Sequence, residues 1–217
     1  MIRDGFLNRS NLPSGSSYTR DLQVLVKQAR HHDSEVRLEA VTAIGARKLK
    51  KASGVLRCAL SDQDVLVRAQ AAESLGWLQE QPASRALLKL MRRDPDELVR
   101  AYAASALGDI GDSKRKQSLV IALRTERSAL VRAHIYEALI KLGQRDFLSR
   151  LYVLLSHRRY HVRCTAAHIL AEVSPSGTVQ RTIARLKIAL RRERIPATRS
   201  SIRNSLKELA NRSKSNT

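Results

Sequence analysis

The sequence predicts an all-α solenoid of about six short helical-hairpin repeats with a 31 to 32 residue period, and three observations predict it. A Val-Arg pair stands at Val36-Arg37, Val67-Arg68, Val99-Arg100, Val131-Arg132 and Val162-Arg163, so that successive copies begin 31, 32, 32 and 31 residues apart. Apolar residues follow each pair at helical steps. A second apolar run fills the space between one pair and the next.

The first of these runs opens with Leu22, Leu25 and Val26, spaced for one face of a helix. After the first pair come Ala40 and Ile44, three and seven residues past the arginine, and the same offsets hold Ala71 and Leu75, Ala103 and Leu107, Ile135 and Leu139, Ala166 and Leu170. Steps of three and four place these side chains on one helical face. Four residues before each arginine stand Asp33, Asp64, Asp96 and Ser128, whose side-chain oxygens suit the free amides of a helix's first turn. The intervening runs are Val55, Leu56 and Leu60; Leu87, Leu88 and Met91; Leu119, Val120 and Leu123; Leu148, Leu151 and Leu155; and Ile183, Leu186 and Leu190. A sixth copy at Arg199 keeps Ile202 and Leu206 but lacks the valine. Paired helices that recur on such a period bury their apolar faces only against neighbouring pairs, which is the logic of a solenoid. Gly45, Gly76 and Gly108 follow the core Ile or Leu of the first three copies, where a small residue admits a neighbouring helix.

The form D-x-D-x-x-V-R-x-x-A-A-x-x-L-G, nearly complete at Asp62 to Gly76 and Asp94 to Gly108, resembles the HEAT-like repeat named after the phycobilisome (PBS) lyases. The resemblance spans about residues 20 to 210. It implies the fold and leaves the activity open, because such repeats serve as lyase subunits, scaffolds, immunity proteins and DNA repair enzymes.

The expected organisation is a flexible arm over residues 1–19, one solenoid over 20–210 and a short tail over 211–217. The arm contains Pro13-Ser14-Gly15-Ser16-Ser17 and no sustained periodicity. Phe6 and Leu7 within it could cap the exposed end of the first repeat. The chain contains no apolar run long enough to span a bilayer, and its start lacks a charged, apolar and cleavage-site pattern, so no membrane partner is expected and it reads as cytoplasmic. Cys58 and Cys164 fall about three repeats apart, too far for a disulfide.

Charge divides the chain. Residues 1–112 hold 17 Lys or Arg against 14 Asp or Glu, whereas residues 113–217 hold 23 against 6. In the basic half, Arg181, Arg185 and Arg192 share one helical face, with Lys187, Arg191 and Arg194 on the next, opposite an apolar stripe. Like charges at this spacing repel by a few tenths of a kcal/mol per pair, so their retention points to an anionic partner.

The fifth copy breaks the template. Where the second and third copies carry acids, Asp62 and Asp64, Asp94 and Asp96, it has His157 and Arg159 within SHRRYHVR, so that His157, Arg158, Arg159 and His161 surround a helix start. Basic groups at a helix N-terminus suit phosphate or carboxylate, and Tyr160 is placed to stack or pack on a partner. The expected binding residues are therefore His157, Arg158, Arg159, Tyr160, His161, Arg181, Arg185, Arg191 and Arg192.

No catalytic residues, metal or cofactor are expected. The chain has no P-loop, no G-x-G-x-x-G, no H-E-x-x-H and no pair of C-x-x-C motifs. His134, Glu137 and His168 fall on second helices but at unmatched offsets, without the His-Glu pairs of the deoxyhypusine hydroxylases. Trp77 and Asp109 resemble the aromatic and acid of HEAT-like alkylpurine glycosylases, yet sit at helix ends in the near-neutral half, where Trp77 reads as a core plug. A bilin lyase role follows from the family name alone. The leading expectation is a non-catalytic module that docks an acidic protein surface on its basic half, with nucleic acid as the alternative partner of the same face.

Overall fold

The computed structural model describes residues 15–214, and within them twelve α-helices alternate in two layers. The first helices of the repeats are α1 (Gly15–Gln28), α3 (Ser53–Ala59), α5 (Ser84–Arg93), α7 (Lys116–Thr125), α9 (Leu148–Leu154) and α11 (Val179–Arg192). The second helices are α2 (Ser34–Ala46), α4 (Val65–Trp77), α6 (Glu97–Ile110), α8 (Ala129–Lys141), α10 (Tyr160–Val173) and α12 (Pro196–Lys214). Six hairpins thus form an α-solenoid with no strand among the described residues. Helix begins at Gly15, inside the stretch read as an arm, and α12 runs to Lys214, into the stretch read as a tail. Phe6 and Leu7 lie outside the described residues.

The second helices pack chiefly on one another, α2 on α4, α4 on α6 and so on, while no two first helices approach as closely. A stack whose one layer is tighter than the other must curve, so the second helices line the inner side. Four of them start on the cap expected there. Asp33 accepts from the Glu35 N–H, Asp64 from those of Leu66 and Val67, Asp96 from Leu98 and Ser128 from Val131. Arg159, at the matching place before α10, makes no side-chain cap. Past the second helices, Gly111 and Gly143 take the left-handed conformation that ends a helix, and Lys48 and Gln79 hold the same turn without glycine's freedom.

The repeating apolar offsets are the core. Ala71, Leu75, Ala103, Leu107, Leu139, Ala166 and Leu170 are fully buried, as are Leu56, Leu87, Leu119, Leu151 and Leu186 from the first helices. Where Gly108 stands, a Cβ would come within 2.6 Å of the Ala138 Cα, which is why α6 and α8 approach so closely. The fourth copy has Ile140 at that offset, and α8 and α10 approach less closely than α6 and α8 do. The interior divides at this junction. One cluster runs from Leu25 to Leu142, the other from Ala133 to Leu209, and α8 contributes to both.

The motif arginines stitch the repeats together, although not through the capping acids themselves. Each pairs with the acid two residues before the next cap: Arg37 with Asp62 at 2.7 Å, Arg68 with Asp94 at 2.9 Å, Arg100 with Glu126 at 3.0 Å and Arg163 with Glu193 at 2.6 Å. The same carboxylates also accept a backbone N–H of their own turn, from Asp64, Asp96, Ser128 and Ile195 respectively. Two jobs for one side chain explain why an acid stands six residues before the arginine as well as four. Arg163 shifts Glu193 down to about 2, with the backbone N–H groups of Ile195 and Arg194 assisting against burial.

One rung is missing. Arg132 should meet an acid where His157 stands, and instead its guanidinium donates to the Tyr136 hydroxyl at 3.0 Å and lies exposed. The His157 Nδ1 accepts the Arg159 backbone N–H at 3.2 Å, keeping half of the acid's role. His157→Asp is therefore expected to restore the rung and raise stability by about 1 kcal/mol, or about 2–4 °C in Tm for a domain of this size. An unchanged melting curve would show that Arg132 does not turn back to the acid.

Candidate partner-binding surface

The expected binding residues lie on two neighbouring parts of the surface, a turn edge and an outer helix. The first is the turn between α9 and α10. Arg158 and Tyr160 are exposed there, while His157 and His161 are half-buried. Arg159 reaches back across two repeats to Glu97, its Nη2 lying 2.7 Å from a carboxylate oxygen. Glu97 also accepts the Ser128 hydroxyl at 2.5 Å, and the Arg159 guanidinium together with this hydroxyl lowers the Glu97 pKa. The four basic side chains around the start of α10 thus do not all converge: Arg159 has an internal carboxylate and His157 serves its own turn.

The second part is α11. Arg181 and Arg185 lie over the ring of Tyr152 on α9, their guanidinium carbons 6.0 and 5.9 Å from its centroid, which ties the outer layers of the fifth and sixth repeats. Arg191 and Arg192 are exposed at the far end of the helix. Arg163 brings that end beside the first turn, since its Nη1 donates to the carbonyls of His157 and Arg158 at 2.8 and 3.1 Å while its Nε holds Glu193. Arg158, Arg191 and Arg192 consequently share one edge. Arg185 and Arg181 stand about two and three turns back along α11.

The acids of the basic half are largely consumed inside the fold. Glu126 and Glu193 close rungs of the arginine ladder, and Glu137 and Glu172 both hold Lys141. Among the described residues, Arg124, Arg150, Arg158, Arg191 and Arg192 form no ion pair with a carboxylate. The surplus of positive charge is thereby delivered to the outer helices and the turn edge.

The inner side is of the opposite character, a feature the sequence reading missed. In the third to fifth copies, residues two, five and nine past the motif arginine meet across neighbouring repeats. Tyr102 stacks on His134 with centroids 6.5 Å apart, the Ser105 hydroxyl donates to Glu137 at 3.3 Å, and the Lys141 Nζ lies 2.6 Å from Asp109 and 2.8 Å from Glu172. Lys141 also meets Glu137 at 2.6 Å, so one ammonium serves three carboxylates. The carboxylate oxygens of Asp109, Glu137 and Glu172 come within 4.8 Å of one another, and the Lys141 ammonium stands among them. Burial acts against ionisation of Glu137, but His134 and Lys141 outweigh it and hold its pKa at about 2. At Asp109 burial wins over Lys141 and the pKa rises. The ammonium is held protonated well above its ordinary range, so it is no nucleophile at neutral pH.

His134 binds Glu137 at 2.8 Å, and His168 lies 3.9 Å from Glu172, so the two histidines serve separate carboxylates. Trp77 is half-buried on this inner strip rather than plugging the core. The signal was present in the spacing, because Asp109, Lys141 and Glu172 all stand nine residues past a motif arginine. No described helix is long and apolar enough to cross a membrane.

Comparison with known proteins agrees with this architecture. No curated protein matches the sequence. Among solved structures, the complex of CpcE and CpcF of phycocyanin lyase from Nostoc sp. PCC7120 is similar with a TM-score of 0.52 at 16% identity, covering 96% of this chain and 99% of that one. The archaeal HEAT-like repeats protein from Thermococcus onnurineus NA1 is similar at 17% identity with a TM-score of 0.46, covering 90% of this chain and 89% of that one. A family model of HEAT repeats matches residues 22–108, 60–140 and 116–207, overlapping stretches that together take in nearly every hairpin described above. The chain therefore belongs to the HEAT-repeat family.

Proposed function

We propose that this protein is a non-catalytic scaffold whose C-terminal half docks an acidic protein surface. The observation that carries the reading is the fate of the charges: Glu126, Glu137, Glu172 and Glu193, four of the six carboxylates of residues 113–217, are drawn into rungs and the Lys141 cluster, while the exposed Arg124, Arg150, Arg158, Arg191 and Arg192 keep no internal counter-charge. Arginine is the cation suited to such a role, since its planar fork matches a carboxylate bidentately and is weakly hydrated. The inner groove, carrying Asp109, Glu137 and Glu172 around one lysine, repels the same partner and directs it to the outside.

Fluorescence anisotropy with three labelled probes at about 50 and 200 mM salt tests this, because phosphate binding falls steeply and log-linearly over that range as counterions are released. The probes are a glutamate-rich peptide of twenty residues or so, a DNA duplex of similar length and a single-stranded RNA. The peptide complex is expected to persist at the higher salt while both nucleic-acid complexes are lost. A nucleic-acid complex that outlasts the peptide complex, or no peptide binding at either salt, overturns the reading.

A further inference from the structure

We propose that the outer faces of α7, α9 and α11 form a strip that docks an acidic amphipathic helix, with Ile121, Val153 and Ile188 as its apolar anchors; this rests on the acidic-protein reading and gives it a place and a geometry. Leu119, Leu151 and Leu186 are the fully buried leucines of these three helices. Two residues on along a helix is a turn of about 200°, which points nearly straight away from the core. In all three helices that outward place holds a β-branched aliphatic: Ile121 is 42% exposed, Val153 70% and Ile188 43%. The counterparts in α3 and α5 are Cys58 and Lys89, so the row is confined to the basic half.

Arginines flank every anchor one helical turn away, where residues three or four apart are neighbours. Arg124 stands beside Ile121, Arg150 beside Val153, and Arg185 and Arg192 on either side of Ile188, all of them exposed. Apolar anchors ringed by arginine make up the composition that protein interfaces favour, with arginine enriched and other charges depleted at the centre. A nucleic-acid backbone gains nothing from exposed valine and isoleucine. A second copy of this chain would set arginine against arginine.

The spacing identifies the partner's form. Packed helices of a stack lie about 8–10 Å apart, and the outer helices, which approach one another less closely than the inner ones, stand at or a little beyond the larger value, so the anchors recur at about 10 Å or slightly more. In an α-helix residues seven apart are about 10.5 Å apart along the axis. A partner helix laid across α7, α9 and α11 therefore meets the row with apolar residues at i, i+7 and i+14. Its glutamates or aspartates one turn to either side reach the flanking arginines. Recognition of this kind, an amphipathic helix read by spaced anchors, is a recurring mode of peptide binding.

The test uses the full chain and two labelled helical peptides of identical composition. One carries leucine at a seven-residue spacing with glutamate on both flanks, the other has its leucines redistributed so that the spacing is lost. The spaced peptide is expected to bind about tenfold tighter, and Val153→Ser to remove most of that difference while leaving the redistributed peptide unaffected. Val153 is so exposed that the fold is expected to survive the change, which circular dichroism checks. Equal binding of both peptides, unaltered by Val153→Ser, sinks the strip while the charge-based reading stands. Binding of neither peptide sinks both. Phosphatidylserine vesicles form a further arm: vesicle binding that Val153→Ser weakens, without peptide binding, assigns the row to an anionic lipid surface and overturns the proposal.

Discussion

Replacing Lys141 by methionine is expected to destabilise the fold by about 3 kcal/mol at pH 7, the low end of the cost of removing one partner from a buried ion pair. Methionine keeps most of the aliphatic stem, so the loss reports on charge rather than on packing. The side chain of Glu137 is only 4% exposed, and without the ammonium it faces Asp109 and Glu172 across a cluster less than 5 Å wide. The direction with pH follows from the shifts. In the native protein Glu137 sits at about 2, below its ordinary 4.5, so its contribution is complete above 4.5 and is lost only as the pH falls through about 2. In the variant, crowding and burial raise the carboxyl groups above their unfolded values. Their folded form then gains relative stability by taking up protons, and the deficit against the native protein is expected to shrink as pH falls from 7 toward 5. Urea denaturation at several pH values measures both. A loss below about 0.5 kcal/mol at pH 7, the range of ordinary surface substitutions, would mean that water already shields the three acids.

Gly108→Ala is expected to cost about 2 kcal/mol, although the same exchange in an open helix gains about 1 kcal/mol. The new Cβ would lie 2.6 Å from the Ala138 Cα and 3.0 Å from its Cβ, so the backbone of α8 has to move rather than a side chain. Gly54→Ala in α3 is the control, because a Cβ there meets nothing nearer than the Arg57 guanidinium at 3.7 Å. It is expected to be neutral or stabilising. Two glycine-to-alanine changes of opposite sign, compared by thermal denaturation, separate helix propensity from helix approach. If Gly108→Ala also stabilises, α6 and α8 are not in the close contact described.

What the sequence made legible was whatever repeats in one dimension. The Val-Arg pair, the offsets three and seven past it and the caps four before it are properties of a single hairpin, and each appears in the structure where its spacing placed it. The rungs were less legible because they join residues from different repeats. Asp62 and Asp94 stood in the sequence only as the opening acids of the repeated form, and their main partners are Arg37 and Arg68 one hairpin earlier. The Lys141 cluster was hidden for the same reason, its members being drawn from α6, α8 and α10. The surface row of Ile121, Val153 and Ile188 was hidden by averaging, since composition assigns aliphatic residues to a core and only the buried leucines two positions before them show which way they face.

The division of the interior at α8 bears on how the chain is made. Every residue of the first cluster lies at or before Leu142, so that cluster has all its members once α8 and the turn after it have emerged from the ribosome. Domains fold as units from the N-terminus during synthesis at about 5–20 residues per second, so the near-neutral half has several seconds to condense before the arginine-rich half is complete. The strongly cationic segment is thereby presented on a finished template, with α8 offering Ala133, Tyr136 and Ile140 as the seed of the second cluster.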